Sequence, residues 1–169
     1  SSILERQVIK LREEHKNIIE LLRSFIDTAS INEDLFKKSK DLTLKILESD
    51  TEEDIKKTVE QSFKKDFEVD KCMLEFYDND ALDKIENATG LSMHKGAIHC
   101  GSFSNEKMLF LFSDKKIESL VIAVIVIGEK IGLLKLGSYD RTKYLGDEDT
   151  TFIEYIRDIL EKKLTSSYE

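Results

Sequence analysis

At 169 residues, with a formal net charge of -8 and 36% charged residues, the chain has room for one core and an extension but not for two full domains. Lysine pairs such as those at 56–57, 64–65, 115–116 and 162–163 are dispersed along the chain, so the sequence holds no block of basic residues of the kind that neutralises phosphates, and no nucleic-acid partner is expected. The longest apolar run, Leu120 to Gly128, is far shorter than a membrane span, and no basic-then-apolar leader opens the chain, so no membrane partner is expected and a cytoplasmic location is.

The opening Ser1-Ser2, without an initiating methionine, predicts that native sequence precedes this stretch. Leu4, Val8, Leu11, His15, Ile18, Leu22, Phe25 and Ala29 then follow one another at alternating spacings of four and three, the signature of a coiled-coil seam. Leu4, Leu11, Ile18 and Phe25 take the d positions, and Val8, His15, Leu22 and Ala29 the a positions. Ile19, Leu21 and Ile26 widen the stripe, which suits a four-helix arrangement within a homodimer. Residues 1–30 are therefore expected to form a dimerisation helix, with Leu4, Val8, Leu11, His15, Ile18, Leu22 and Phe25 at the interface, and residues 31–169 to form the domain. Two facing His15 side chains would set like charges together on protonation and weaken such a dimer in mild acid.

No glycine occurs before position 90 and no proline anywhere. The helix is expected to run on through Ser30-Ile31-Asn32-Glu33, despite the capping-box spacing there, because Leu35, Phe36, Leu42 and Ile46 continue the apolar pattern. Asp50-Thr51-Glu52-Glu53 opens a further helix with Ile55, Val59, Phe63 and Phe67 on one face and Lys64 and Lys65 in its last turn. From Lys71 to Tyr77 the period changes to two, as in a strand with one face on a core. "DNDALD", Asp78 to Asp83, reads as a solvated turn; a calcium loop would need glycine where Asp83 stands. Residues 78–118 are the least regular, with a helix expected at Asn105 to Phe112, and a small-molecule pocket is sought there. "SLVIAVIVIGEKIGLLKLGS" predicts a hairpin turning at Gly128-Glu129, its first strand covered on both faces. Gly132 and Gly137 are expected to relieve crowding beside it. A closing helix begins at an Asp147 cap and buries Phe152, Ile156, Ile159, Leu160 and Leu164.

Several stretches resemble one family: "ILERQVIKLREEHKNIIELL", "NEDLFKKSKDLTLKIL" followed by "VEQSFKKDFEVD", the short "HCG", and above all "GLLKLGSYDRTKYLGDEDTTFIEYIRDIL". Together they are similar to the bacterial domain-of-unknown-function family 484, and the order of elements resembles a GAF-type sensory domain. The resemblance implies an α+β, GAF-like fold in which a central antiparallel sheet is flanked by helices, and it brings no established reaction with it.

"KGAIHCGSF", Lys95 to Phe103, sets His99 against Cys100. Neighbours in an extended segment point to opposite faces, so the two are not expected to act as a catalytic pair. His94, His99 and Cys100 fall short of the usual four zinc ligands. No catalytic residue, metal or cofactor is assigned. Cys100 is read instead as pocket lining, together with Cys72, Leu74, Phe76, Met93, Phe103, Phe110 and Leu134. In "TKYLGDED" the echo of cyclic-nucleotide-binding GAF domains lacks its asparagine, and Tyr144 reads as packing. The expected function is a regulatory or small-molecule-sensing module, homodimeric through its N-terminal helices and taking an unidentified ligand. The alternatives are a cysteine-dependent GAF-type enzyme similar to the methionine sulfoxide reductases, which resemble this architecture, and a pure dimeric scaffold.

Overall fold

The structure, a computed structural model, describes residues 2–28, 33–144 and 148–168. The expected helical passage through 29–32, seam position Ala29 and the cap at Asp147 lie outside these residues, as does the side chain of Phe25. In chain order the elements are α1 (Ser2–Thr28), α2 (Glu33–Glu48), α3 (Glu52–Asp66), β1 (Lys71–Tyr77), α4 (Asn79–Thr89), β2 (Ile98–Gly101), α5 (Asn105–Phe112), β3 (Ser119–Ile127), β4 (Lys130–Ser138) and α6 (Glu148–Tyr168). This is a mixed α+β fold around one antiparallel sheet of strand order β1-β4-β3-β2.

The apolar run of β3 explains the layering. Val121, Ala123, Ile125 and Ile127 face one core with Leu134 and Leu136 of β4 and Cys72 and Leu74 of β1. Leu120, Ile122 and Val124 face a second core with Leu133. Side chains alternate along a strand, so a strand apolar at every position needs a cover on both sides. On the first side the cover is α2, α3 and α6 with Ile18 of α1; on the second it is Leu82 and Ile85 of α4 and Met108, Leu111 and Phe112 of α5.

The hairpin turns where the sequence predicts it. Gly128 has φ +61°, and its absence of a Cβ makes that conformation inexpensive. Gly132 stands directly opposite Phe76 in the ladder, and a Cβ there would come within 2.7 Å of the ring. α3 starts as expected, with Thr51 Oγ1 accepting from the Asp54 amide at 3.1 Å.

The stretch from Asp78 to Asp83 corrects the expectation of a solvated turn. Asp78 Oδ1 accepts from the Ala81 amide at 2.8 Å and caps α4, which ends at Gly90 in a left-handed conformation. The cap geometry that an Asp-rich turn uses also begins a helix; Leu82, Ile85 and Thr89 supply the buried face that decides between the two.

Helix carboxylates occupy strand amides that the sheet leaves over. The Leu74 amide on edge strand β1 donates to Glu60 Oε2 of α3 at 2.9 Å. The Val126 amide, beyond the reach of β2, donates to Glu161 Oε1 of α6 at 3.0 Å. An edge satisfied in this way is a poor template for a further strand.

Candidate functional site

The residues expected to line one pocket are divided by the sheet. Cys72, Leu74, Phe76 and Leu134 belong to the core beneath α3 and α6. Met93 and Phe103 belong to the core beneath α4 and α5. Phe110 is on the exposed side of α5, and Cys100 is exposed on edge strand β2.

The ladder also fixes the relation of the cysteines. Cys72 pairs with Leu136, Leu136 with Val121, and Val121 with Cys100, so the two thiols stand in one row on opposite edges of the sheet. Three strand spacings of about 4.8 Å separate them by roughly 14 Å, whereas a disulfide needs Cα atoms within about 7 Å. Cys72 is buried, and burial, reinforced by the charge of Glu60, raises its thiol pKa far above the ordinary value. Both effects disfavour the thiolate that nucleophilic chemistry requires. His99 lies in the neighbouring row, opposite Ile122, with Nε2 at 2.6 Å from the Ser92 carbonyl. A carbonyl only accepts, so Nε2 holds the proton. His94 Nδ1 bonds the Ser92 hydroxyl at 3.0 Å. Among the described residues, no three His, Cys, Asp or Glu side chains gather closely enough to hold a metal ion.

Two buried lysines escaped the sequence reading. Lys135 of β4 is 4% exposed. It donates to the Leu111 carbonyl in the last turn of α5 at 2.8 Å and to Tyr77 Oη at 3.3 Å, with Glu75 Oε1 4.0 Å away. Tyr77 in turn donates to Glu75 Oε2 at 2.9 Å. Burial lowers the pKa of Lys135 against the pull of Glu75, and burial followed by the bond to Glu75 raises that of Tyr77. The ammonium thus ties the sheet to the C-terminal end of α5, where the helix dipole favours a cation.

The second lysine anchors α1. Lys163 of α6 donates to the Leu47 carbonyl at the end of α2 at 3.1 Å. Its Nζ lies 3.2 Å from Glu14 Oε1, close enough for charge pairing though off the line of a hydrogen bond. The Glu14 side chain is 6% exposed. Ile18, one turn on, is fully buried in the first core, with Leu21 and Leu22 packed beside it.

The preceding turns have a different environment. Leu4 is 67% exposed and Leu11 53%, and Val8, His15 and Ile19 are exposed as well. At 100° per residue, Leu4, Val8, Leu11, His15 and Ile19 fall within an arc of roughly 80° whose edge lies about 20° from Ile18 and about 60° from Glu14, so the stripe adjoins the face that meets α6 and prolongs it toward the N-terminus. Of the expected interface residues, then, Leu4, Val8, Leu11 and His15 are on the surface, while Ile18 and much of Leu22 are taken into the chain's own core.

These features define a class of architecture, an α+β domain whose sheet is covered on both faces and whose first helix continues from the core into an uncovered apolar stripe. The family model described as "Protein of unknown function, DUF484" matches residues 1–168, and the chain belongs to that family. No curated protein matches the chain. Among the described residues no helix is long and apolar enough to cross a membrane.

Proposed function

We propose that this chain is a regulatory or ligand-sensing module that works as a homodimer joined through α1. The observation that carries this reading is the stripe Leu4, Val8, Leu11, His15 and Ile19, exposed on a helix that is fastened to the core through Glu14, Lys163 and Ile18. A solvated helix has no need of apolar residues at seam spacing; a second copy of the same stripe supplies their cover. The two-sided antiparallel sheet and the order of elements support a GAF-like reading of the domain, and a cytoplasmic location goes with it.

Burying Leu4, Val8 and Leu11 on both copies contributes roughly 1.5–3 kcal/mol per side chain when complete, against an association cost of about 4–15 kcal/mol. Because α1 is one continuous helix from Ser2 to Thr28, a displacement of α6 acting on Glu14 and Ile18 would be carried to the interface. Such coupling requires a ligand that distinguishes two arrangements of the helices. Sedimentation equilibrium across micromolar concentrations tests the reading: the wild type should fit a monomer–dimer equilibrium and Leu4→Glu/Leu11→Glu a monomer. A monomeric wild type would remove it.

A further inference from the structure

The cover that α2, α3 and α6 form over the first core is incomplete. An apolar cleft of about 140 Å³ opens among Leu35 of α2, Phe63 and Phe67 of α3, Leu136 of β4 and Phe152 of α6. Its aromatic wall is fixed by mutual packing: Phe67 stacks on Phe152 with ring centroids 4.8 Å apart, and Phe63 lies 5.2 and 6.0 Å from the two. An engineered apolar cavity of about 150 Å³ takes up benzene, so the space is the size of a short hydrocarbon tail or a single ring. Left empty, it forfeits dispersion contacts with its walls that a tail would restore.

A charge lies at this cleft. Lys143 is the single ionisable side chain other than Tyr144 among its described lining residues. Its ammonium donates to the Glu68 carbonyl at 2.9 Å and sits 5.6 Å from the centroid of the Tyr144 ring. An ammonium carries three donors, so the bond that holds it in place leaves capacity for an anionic acceptor; no carboxylate is among the described lining residues, and the charge of Asp140 acts on Lys143 from outside them.

We propose that this cleft binds a small carboxylic acid with an apolar tail of about five carbons, the tail among the phenylalanines and the carboxylate on Lys143. The inference rests on the sensing half of the reading above and gives it a ligand class. It also moves the ligand site to the face of the sheet opposite Met93 and Phe103, onto the side where α6 holds α1.

The test is binding of hexanoate and of its neutral isostere hexanamide to the full chain, followed by thermal shift and titration calorimetry. Hexanoate should stabilise the wild type, and hexanamide should bind about tenfold more weakly, since a hydrogen bond to a charged group is worth more than a neutral one. Lys143→Met should abolish the preference for the acid while leaving weak tail binding. Leu35→Phe, which adds bulk at a partly buried wall position, should weaken both probes. Failure of hexanoate to stabilise the wild type, equal affinity for acid and amide, or an acid preference that survives Lys143→Met would each overturn the proposal. Sedimentation of the same samples reports self-association separately, so loss of the ligand site and loss of the dimer are distinguishable results.

Discussion

The two halves of α1 share one apolar periodicity and have different surroundings. From Glu14 to Leu22 the helix is held by a buried ion pair and by Ile18 at zero exposure, whereas Leu4 and Leu11, in phase with Ile18 two heptads and one heptad earlier, stand largely in water. Spacing therefore shows that a helix has an apolar side without saying what covers it. A covered half and an uncovered half on one rigid element are the arrangement that lets a domain present a partner surface while keeping it mechanically joined to its core.

The sharpest way to break this contrast is to attack the anchor. Lys163→Met leaves the Glu14 carboxylate buried without its counter-charge, and loss of one member of a buried pair costs about 3–5 kcal/mol. Urea denaturation should show a drop of that order, and Glu14→Leu/Lys163→Met should recover most of it, because an apolar pair of similar volume avoids the desolvation of both charges. Next in size is Ile18→Ala, expected to cost about 2–5 kcal/mol through the cavity it leaves. Leu11→Ala, at the same heptad position one turn pair earlier, should stay within about 0.5 kcal/mol in a dilute monomer. Equal losses at the two positions would mean that the halves of α1 are not different environments.

A smaller effect comes from the layer that supports the anchored half. Tyr155 of α6 shares a hydrogen bond of 2.9 Å with Thr43 of α2, and burial pushes its phenol up to about 12. An unfolded tyrosine titrates near 10. Between those values the folded chain retains a proton that the unfolded chain has lost, so stability is fully present below about pH 10 and falls as pH rises toward 12. Urea midpoints at pH 9, 10 and 11 should decline more steeply in the wild type than in Tyr155→Phe; parallel declines would show that this layer is not the source.

Much of the fold is legible in the sequence because the responsible signals are local. The hairpin at Gly128, the Thr51 cap and the period-two pattern of β1 each depend on a few adjacent residues. Helix α4 is also written locally, in Asp78, Leu82, Ile85 and Gly90, but its opening residues favour turns and helix starts alike. The site was harder to read for a physical reason. Alternation places Cys72, Leu74 and Phe76 on one face correctly, yet nothing in an alternating pattern says that Met93 and Phe103 approach the sheet from the other side. Glu14 at a flanking heptad position and Lys135 in "GLLKLGS" look like hydrated charges until tertiary packing brings Lys163 and the Leu111 carbonyl to them.

The proposed function rests on the exposed half of α1 meeting a second copy of itself. Its most direct test is the sedimentation mass of Leu4→Glu/Leu11→Glu beside the wild type, with thermal unfolding of both followed in dilute solution. A dimeric wild type and a monomeric variant with the same dilute-solution unfolding midpoint are the predicted result, because the altered side chains touch water and not the core. A variant that dimerises as tightly as the wild type would contradict it.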